Sequence, residues 1–436
     1  MKRVLIVASS YAPAMPASIH RARMLAWGLS ESGWSVEVLV PAKDFQRPEW
    51  LADDSAALFS PEVACHEAQP ILTGLFRLFG MHGIDRRALL PVYRLGASLL
   101  AQRRFDLIYI TTTSFNFFCL GRFWRRRFGV PYVLDFQDPW YRPRPVMITT
   151  KHWIKFRIGN KLSKYLEAFA VNGAIGLVSV SPNYLAELRG RYPLAQTFRG
   201  GNQAVIPFGV LPLDLEVACK RTGQRPANDR LRNIVYVGVG DIVMQKSFRR
   251  LIAGLARLRH RHPDLIGLCR LCLAGTHGGW KPGDPKVLFD EAVAVGLGNL
   301  VTEDPQILSY PVATSLAVAA DGLLVLGVDD PGYMPSKLFP YAMTGKPLLA
   351  CLHWQSQANE YFERFPELGT LIHFAAPCEV ESNEDSRLLT FLRQVVSRQE
   401  IDRARILAVH SAEAMARQHA ELFERCLKTL HRSNLF

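Results

Sequence analysis

The sequence predicts an α/β protein built from two Rossmann-like, doubly wound domains, and three observations support this fold class. Short, unbroken apolar runs alternate with amphipathic stretches along the whole chain, as is typical of buried parallel strands joined by crossover helices. The length of 436 residues exceeds what one hydrophobic core usually supports, and a hydrophobic content of 49% is enough for two. A polar, basic run without a clear period, residues 220–232, follows the segment 205–212 and marks the boundary between the domains.

We predict five strands in each half of the chain. They cover residues 4–8, 35–40, 107–111, 132–136 and 176–179 in the first half, and residues 234–237, 270–274, 300–302, 322–326 and 347–351 in the second. Apolar residues at helical spacing over 411–430 predict a closing amphipathic helix. We therefore expect one domain over residues 1–206, a second over 207–408, and a final helix over 409–436 that packs back towards the first.

Composition limits the classes of partner. A net charge of +13 and a pI near 9.5 favour nucleic acid, an anionic bilayer or phosphorylated small molecules, and charge alone does not choose among them. The arginines fall in no recognisable nucleic-acid-binding module, so we expect no nucleic-acid partner. The eight cysteines are scattered, which favours a reducing compartment. No apolar run approaches the roughly 18 residues of a membrane span, so we expect a protein that does not cross a membrane.

The segment 335–347, PSKLFPYAMTGKP, is the best candidate for an anion site. Ser336 can cap a helix whose exposed amide groups and positive dipole end face a phosphate, and Lys337 adds a charge there. Gly345 then ends that helix. The alternative is an ordinary capped turn with a solvated lysine, and the segment alone does not decide between the two.

An ordered series of short motifs runs through both halves. It comprises VLIV at 4–7 with YAP at 11–13, HR at 20–21, GVPYVLDFQDPW at 129–140, SVSP at 179–182, IPFGV at 206–210, YVG at 236–238, Lys246, LAG at 273–275 and PSKLF at 335–339. By these motifs the chain resembles the retaining glycosyltransferases of the GT-B fold, family four and its close relatives, which build bacterial polysaccharides and glycolipids. The resemblance implies two Rossmann-like domains facing a central cleft.

The same resemblance implies transfer of a sugar from a nucleotide-diphosphate sugar to a glycan or lipid-linked acceptor, with no metal ion or cofactor. Cations and amide groups at the donor diphosphate would stabilise the leaving group as charge develops on it. The positions that match the family place the diphosphate at Lys246, Ser336 and Lys337, and a donor loop at Gly238 and Gly275.

Two departures from the family pattern concern the donor site. Members usually carry two glutamates eight positions apart, the second of which holds the nucleotide ribose, and here those positions are Gly332 and Pro340. The usual arginine after the first strand of the second domain is also absent. On spacing alone, Asp329 or Asp330 would replace the missing carboxylates, and we include Asp330 in the donor loop. The alternative function is a catalytically lapsed relative that serves as a binding or scaffold subunit.

His20 and Asp138 are the candidate catalytic residues of the first domain. His20 follows a small-residue loop at the start of a helix, where it would face the acceptor; the alternative is a histidine on the helix surface. Asp138 lies just past an apolar strand, where carboxylates often reach a ligand site; the alternative is a cap or turn residue before Pro139.

Two basic zones bear on membrane attachment. Arginines accompany apolar residues over 71–100, and RFWRRRF at 122–128 is a compact basic and aromatic cluster. Both patterns suit the surface of an anionic membrane. The alternatives are core helices with solvated arginines in the first zone and a helix end with favourable cations in the second. We predict a cytoplasmic protein, peripheral at the inner face of the cytoplasmic membrane, in cell-surface polysaccharide or glycolipid synthesis.

Overall fold

The computed structural model describes residues 1–11, 17–45, 58–59, 63–70, 84–142, 153–221, 230–376 and 383–433. The chain divides into two compact units. Unit 1 comprises Met1–Gly209 and Ala412–Phe436, and unit 2 comprises Val210–Ser411. The division falls after Gly209, whereas the sequence predicted it after residue 206, and the final helix belongs to unit 1.

Unit 1 contains a sheet of seven parallel strands in the order β3-β2-β1-β4-β5-β6-β7. The strands are β1 Arg3–Val7, β2 Ser35–Pro41, β3 Ala64–Ala68, β4 Leu107–Thr111, β5 Tyr132–Phe136, β6 Gly176–Ser179 and β7 Gln203–Val205. The central strands β4 and β5 are buried along their whole length, as expected of strands covered by helices on both faces. The two strands that the sequence did not predict, β3 and β7, form the edges of the sheet.

The helices of unit 1 alternate with these strands. They are α1 Ala17–Glu31, α2 Ile84–Arg87, α3 Leu89–Gln102, α4 Phe118–Phe128, α5 Trp153–Val171, α6 Pro182–Arg191, α7 Gln196–Arg199 and, at the end of the chain, α17 Ala412–Ser433. Helix α17 packs against α1 at Gly28, where an added Cβ would lie 2.5 Å from the Cβ of Ala416. The glycine therefore permits the close approach of the closing helix.

Unit 2 contains a sheet of six parallel strands in the order β10-β9-β8-β11-β12-β13. The strands are β8 Arg232–Val237, β9 Cys269–Ala274, β10 Val301–Asp304, β11 Gly322–Leu326, β12 Leu348–His353 and β13 Thr370–Phe374. The helices are α8 Pro212–Arg221, α9 Gln245–Arg261, α10 Pro263–Gly267, α11 Val287–Ala294, α12 Tyr310–Ala319, α13 Leu338–Met343, α14 Asn359–Arg364, α15 Glu384–Val396 and α16 Ala404–His410. The predicted fold class, two parallel sheets with helices, is confirmed.

Candidate functional site

Two glycines follow the carboxyl ends of neighbouring strands in unit 2. Gly238 comes after β8 with φ of +121°, and Gly275 comes after β9 with φ of +70°, a region that favours glycine. The Gly238 N–H donates to Ala274 O at 2.8 Å, and the Gly275 N–H donates to Asp304 O at 2.8 Å. A Cβ on Gly275 would lie 3.7 Å from the nitrogen of Gly238. The structure therefore brings these two predicted donor-loop glycines together.

Lys337 occupies the space that Gly238 leaves open. A side chain on Gly238 would clash with both Nζ and Cε of Lys337. The Lys337 Nζ lies 4.7 Å from the centroid of the Tyr236 ring, an arrangement that stabilises a cation over an aromatic face. The ring is held in turn by its hydroxyl group, which donates to Val239 O at 2.6 Å. Tyr236 is thus a site residue to which the sequence analysis gave no role.

Within the described part of the chain, no carboxylate forms an ion pair with the Lys337 ammonium group. The side chain is partly buried, and burial lowers the pKa of Lys337 to about 8 because desolvation disfavours the charged form. An anionic ligand would compensate this charge, which makes the position a candidate binding site.

The predicted cap at Ser336 is wrong. Helix α13 begins at Leu338 and has Lys337 at its N-cap position, with no side-chain hydrogen bond to the cap. Ser336 and Lys337 instead form a turn, in which the Leu338 N–H donates to Pro335 O at 3.2 Å. Ser336 therefore lies one residue before the N-cap position. The predicted stop is confirmed, since the helix ends at Met343 and Gly345 has φ of +71°.

Lys246 lies in the first turn of α9 and forms an exposed ion pair with Asp329. The other oxygen of Asp329 is 3.8 Å from Nε2 of His353, at the end of β12. The carboxylate of Asp330 accepts a hydrogen bond from the Gly332 N–H at 2.8 Å. Lys246, with its carboxylate partner, therefore differs from Lys337 in its surroundings. Asp330 contacts the backbone of Gly332, one of the two positions where a glutamate of the family pattern is missing.

His20 is buried in α1, so the alternative of a surface histidine is wrong. Its Nδ1 lies 3.4 Å from Nη2 of Arg23. Burial and, secondly, the charge of Arg23 hold the pKa of His20 well below its ordinary value. The imidazole is therefore neutral near pH 7. Asp138 is partly buried in the segment after β5, and its catalytic role stays a prediction.

A buried ion pair in unit 1 was not predicted. Arg21 donates to Asp135 through Nε at 2.5 Å and Nη2 at 3.1 Å, and Thr111 donates to the same carboxylate at 2.7 Å. Burial would raise the pKa of Asp135, but the Arg21 guanidinium outweighs it, so the pKa is lowered. Arg21 also donates to Pro207 O at 3.1 Å. The pair fixes α1 against the end of β5.

A second buried contact ties α17 to the same sheet. The Tyr109 hydroxyl lies 3.0 Å from Nε2 of His419, whose Nδ1 lies 2.7 Å from Met415 O. Because a carbonyl oxygen only accepts, Nδ1 carries the proton and Nε2 accepts from Tyr109. Burial and, secondly, Arg21 lower the pKa of His419 to about 3. His419 is therefore a neutral, structural histidine.

Known proteins resemble this chain at two levels, a family model and solved structures. Residues 18–209 match the model of a glycosyl transferase 4-like domain. The matched residues lie within the first segment of unit 1, Met1–Gly209. Curated protein sequences gave no match to the chain.

Solved structures resemble the whole chain. HepE of Anabaena in complex with UDP is 17% identical, with a TM-score of 0.57 over 97% of this chain and 100% of that one. The catalytic domain of starch synthase IV of Arabidopsis thaliana, bound to ADP and acarbose, is 14% identical, with a TM-score of 0.60 over 98% and 99%. A UDP-forming trehalose-phosphate synthase of Burkholderia vietnamiensis is 13% identical, with a TM-score of 0.60 over 98% and 100%. The predictions of a glycosyltransferase and of the GT-B fold are confirmed.

The basic cluster at 122–128 belongs to α4 of unit 1. Arg122 donates to Phe169 O at 2.7 Å and Arg125 donates to Gly173 O at 2.6 Å. These two arginines satisfy carbonyl groups at and just after the end of α5. Arg125, Arg126 and Arg127 also lie in the last turn of α4 itself, which favours the helix-end alternative. In the other zone, Arg87 donates to Phe45 O at 3.3 Å, whereas residues 71–83 lie outside the described residues.

The described residues include neither a membrane-spanning helix nor a cluster of metal ligands. Among the residues that the structure describes, no helix is long and apolar enough to cross a membrane. The same residues include no group of three or more His, Cys, Asp or Glu side chains that could hold a metal ion. The candidate sites are those at Lys337, at His20 in α1 and at Asp138 after β5.

Proposed function

We propose that the protein transfers a sugar, with retention of configuration, from a nucleotide-diphosphate sugar to a glycan or lipid-linked acceptor. Unit 2 would bind the donor and unit 1 the acceptor. The single observation that carries this proposal is Lys337, a partly buried cation that lies against Gly238 after β8 and has no carboxylate partner among the described residues. Strand ends of a doubly wound sheet are where such ligands bind.

The chemistry at this site would be electrostatic. As the bond from the anomeric carbon to the diphosphate breaks, negative charge grows on the leaving oxygen. The Lys337 ammonium would stabilise that charge, and partial burial strengthens the interaction because little water screens it. Lys246 would contribute a second cation after exchanging Asp329 for a phosphate oxygen, and Ser336 a hydroxyl group. Cations used in this way need no metal ion or cofactor.

The nucleotide would be held by groups beside the same strand ends. HepE and starch synthase IV, which share the fold, are bound to UDP and ADP, and we propose a nucleotide at the corresponding end of unit 2. Asp330 is the better candidate to replace the missing ribose-binding glutamate, because its carboxylate lies at the Gly332 backbone. Asp329 is already engaged with Lys246.

His20 and Asp138 are proposed for the acceptor side. Because the low pKa keeps His20 neutral, its ring would exchange a hydrogen bond rather than supply a charge. We place the reaction in cell-surface polysaccharide or glycolipid synthesis, with the protein cytoplasmic and peripheral at the inner face of the cytoplasmic membrane. A His20→Ala variant should then lose transfer and keep donor binding.

A thermal-shift screen against UDP, GDP, ADP and their sugar conjugates tests the donor site, because a ligand that binds only the folded state raises its stability. We expect one nucleotide class to raise the Tm of the wild type. Lys337→Met should abolish that shift, and Lys346→Met, which removes a lysine from the same segment, should preserve it. Equal shifts in all three proteins would contradict the role of Lys337.

The screen also separates the proposed enzyme from the catalytically lapsed alternative. An active enzyme should hydrolyse or transfer from the sugar conjugate that gives the largest shift. Nucleotide binding without either reaction, over a panel of glycan and lipid-linked acceptors, would support a binding or scaffold subunit. No nucleotide binding at all would contradict the proposed function.

A further inference from the structure

The outer face of α5 in unit 1 has an unusual composition. Over residues 157–171 the exposed side chains are three cations and three large apolar residues: Arg157, Lys161 and Lys164, with Ile158, Leu162 and Tyr165. The one acidic residue of that stretch, Glu167, is buried and pairs with Arg191 at 2.9 Å. The exposed face of this stretch is therefore both apolar and uniformly positive.

The apolar residues form a single line along the helix. Ile158, Leu162 and Tyr165 are spaced i, i+4 and i+7, which places them on one face. They are 68%, 54% and 64% exposed, and Leu194, in the turn that follows α6, is 72% exposed. Apart from Met1, these are the four most exposed large hydrophobic side chains among the described residues. Such a concentration of exposed apolar surface marks an interaction site.

The turn that carries Leu194 is joined to α5 by one hydrogen bond. The Tyr192 hydroxyl, two residues earlier, donates to Lys164 O at 3.2 Å. The ring of the exposed Phe123 lies 5.2 Å from that of Phe169, four residues after Tyr165. The apolar surface therefore continues beyond α5 at Phe123.

The cations lie on one flank of this apolar line. From the helical repeat, Arg157, Lys161 and Lys164 are about a quarter turn around the helix from it. The guanidinium groups of Arg122 and Arg126 lie 4.6 and 5.6 Å from the Phe169 ring and add positive charge near the end of α5. A helix with an apolar line and a basic flank suits the boundary between lipid headgroups and acyl chains.

Helix α5 is firmly attached to unit 1 by its inner face. Ala170 and Val171 are buried in the core, and Arg122 and Arg125 hold the carbonyl groups at the helix end. The outer face therefore has a fixed position relative to the core of unit 1. A second copy of the chain would be a poor occupant, because pairing this face with itself would bring cations against cations. Lipid phosphates, by contrast, complement the flank.

We infer that the outer face of α5 is the surface by which unit 1 binds an anionic lipid bilayer. The apolar line would enter the interfacial region, while the basic flank would contact lipid phosphates. The role of this contact rests on the proposed function, since the bilayer would present the acceptor. The lipid contact itself requires no activity. Of the two basic zones that suggested a membrane in the sequence, the proposed surface shares Arg122, Phe123 and Arg126 with the zone 122–128 and no residue with the zone 71–100.

Vesicle flotation tests this surface. The full-length protein is mixed with vesicles of phosphatidylcholine and phosphatidylglycerol in equal parts, or of phosphatidylcholine alone, at low salt. We expect the wild type to float with the anionic vesicles only. Ile158→Ser, Leu162→Ser and Tyr165→Ser combined should reduce the bound fraction roughly tenfold or more, because their apolar area no longer leaves water. Lys161→Gln with Lys164→Gln should weaken binding less and make it less sensitive to salt.

A matched control removes exposed apolar residues elsewhere. Val293→Ser, Val312→Ser and Leu316→Ser combined change exposed residues of unit 2 and should float like the wild type. The nucleotide shift, measured on every variant, confirms folding and reports the proposed function separately. A wild type that fails to float, an α5 variant that floats normally, or equal binding to neutral vesicles would overturn the inference, even with the nucleotide shift intact.

Discussion

Arg21 in unit 1 and Lys337 in unit 2 are both cations shielded from water, but their surroundings differ. Arg21 is fully buried, pairs with Asp135 through two nitrogens and also donates to Pro207 O. Lys337 lies over Tyr236 with no carboxylate partner among the described residues. A cation whose hydrogen-bonding groups are satisfied by its own chain stabilises a fold. One whose charge is uncompensated is suited to bind an anion.

The two arrangements also differ in what they cost the folded state. Transfer of an ion out of water is unfavourable, and a bidentate partner offsets most of that cost. The pKa of Lys337 falls from 10.5 to about 8, which corresponds to roughly 3 kcal/mol lost by the charged form on folding. The proposed donor site therefore reduces stability, and a bound diphosphate would restore it.

The largest effect is expected from breaking the paired cation. Asp135→Asn removes the negative charge and leaves Arg21 buried without an anion, which should lower the free energy of unfolding by about 3–5 kcal/mol. Urea unfolding of the wild type and the variant measures the difference. The control is Glu424→Gln, which removes the exposed partner of Lys2 at 2.9 Å and should cost less than about 1 kcal/mol.

Asp135→Asn alone could prevent folding, so a second variant completes the test. Replacing both partners, as Arg21→Met with Asp135→Leu, removes the unpaired charge and should recover most of the lost stability. If the double variant is as unstable as Asp135→Asn, the loss reflects poor packing rather than a buried charge. A loss as small as that of Glu424→Gln would also contradict the structural role of the pair.

Removing the charge of Lys337 should change the stability of the protein in the opposite direction. Lys337→Met keeps the apolar stem and removes the charge, so the ligand-free protein should become more stable by about 1–3 kcal/mol at pH 7. The gain is smaller than the full cost of the charge because the contact with Tyr236 is also lost. Urea unfolding without nucleotide measures it, with Lys346→Met as control. A clear loss of stability would instead assign Lys337 the same structural role as Arg21.

Substitution of Gly238 tests whether the backbone at this position must lie close to the Lys337 side chain. Gly238→Ala introduces a Cβ that clashes with the lysine at φ of +121°, and it should cost about 1–3 kcal/mol in stability. Gly283→Ala is the matched control, because Gly283 has φ of +99° and nothing within 4 Å of an added Cβ. It reports the backbone strain alone.

The steric part of the Gly238 effect should depend on the lysine. In a Lys337→Ala background, Gly238→Ala should cost no more than Gly283→Ala, with a coupling of about 0.5 kcal/mol or more between positions 238 and 337. Nucleotide binding should weaken in Gly238→Ala and not in Gly283→Ala. Additive stabilities would contradict the close approach of the two residues.

The sequence predicted the buried central strands well and the edge strands of unit 1 poorly. The strands Leu107–Thr111, Tyr132–Phe136, Gly176–Ser179 and Gly322–Leu326 have the predicted bounds, because fully buried parallel strands are short, unbroken apolar runs. The edge strand Ala64–Ala68 was missed, since most of its residues are exposed and carry no apolar pattern. The three-residue strand Gln203–Val205 is too short to have one.

The candidate sites were predicted only where a local motif exists. Lys337 stands in a motif that resembles a family, whereas its partner Tyr236 lies 101 positions earlier and is found only once β8 is placed beside α13. The pair of Arg21 and Asp135 likewise depends on the order of strands. The face of α5 was missed for another reason: apolar residues at helical spacing usually face a core, and only the structure shows that Ile158, Leu162 and Tyr165 face outwards.

The smallest expected effect is a pH dependence that distinguishes the lysine from the arginine. In the free protein the pKa of Lys337 is about 8, and a bound diphosphate would raise it by favouring the ammonium form. Binding should therefore be constant below about pH 7.5 and weaken above it, by roughly tenfold between about pH 7 and about pH 9, because the site must then take up a proton. Calorimetric titration in two buffers of different ionisation enthalpy measures the affinity and the proton uptake together. Lys337→Arg should bind without this dependence, since a guanidinium stays charged over the range. An identical fall in Lys337→Arg would place the titrating group elsewhere and remove the distinction between the two cations.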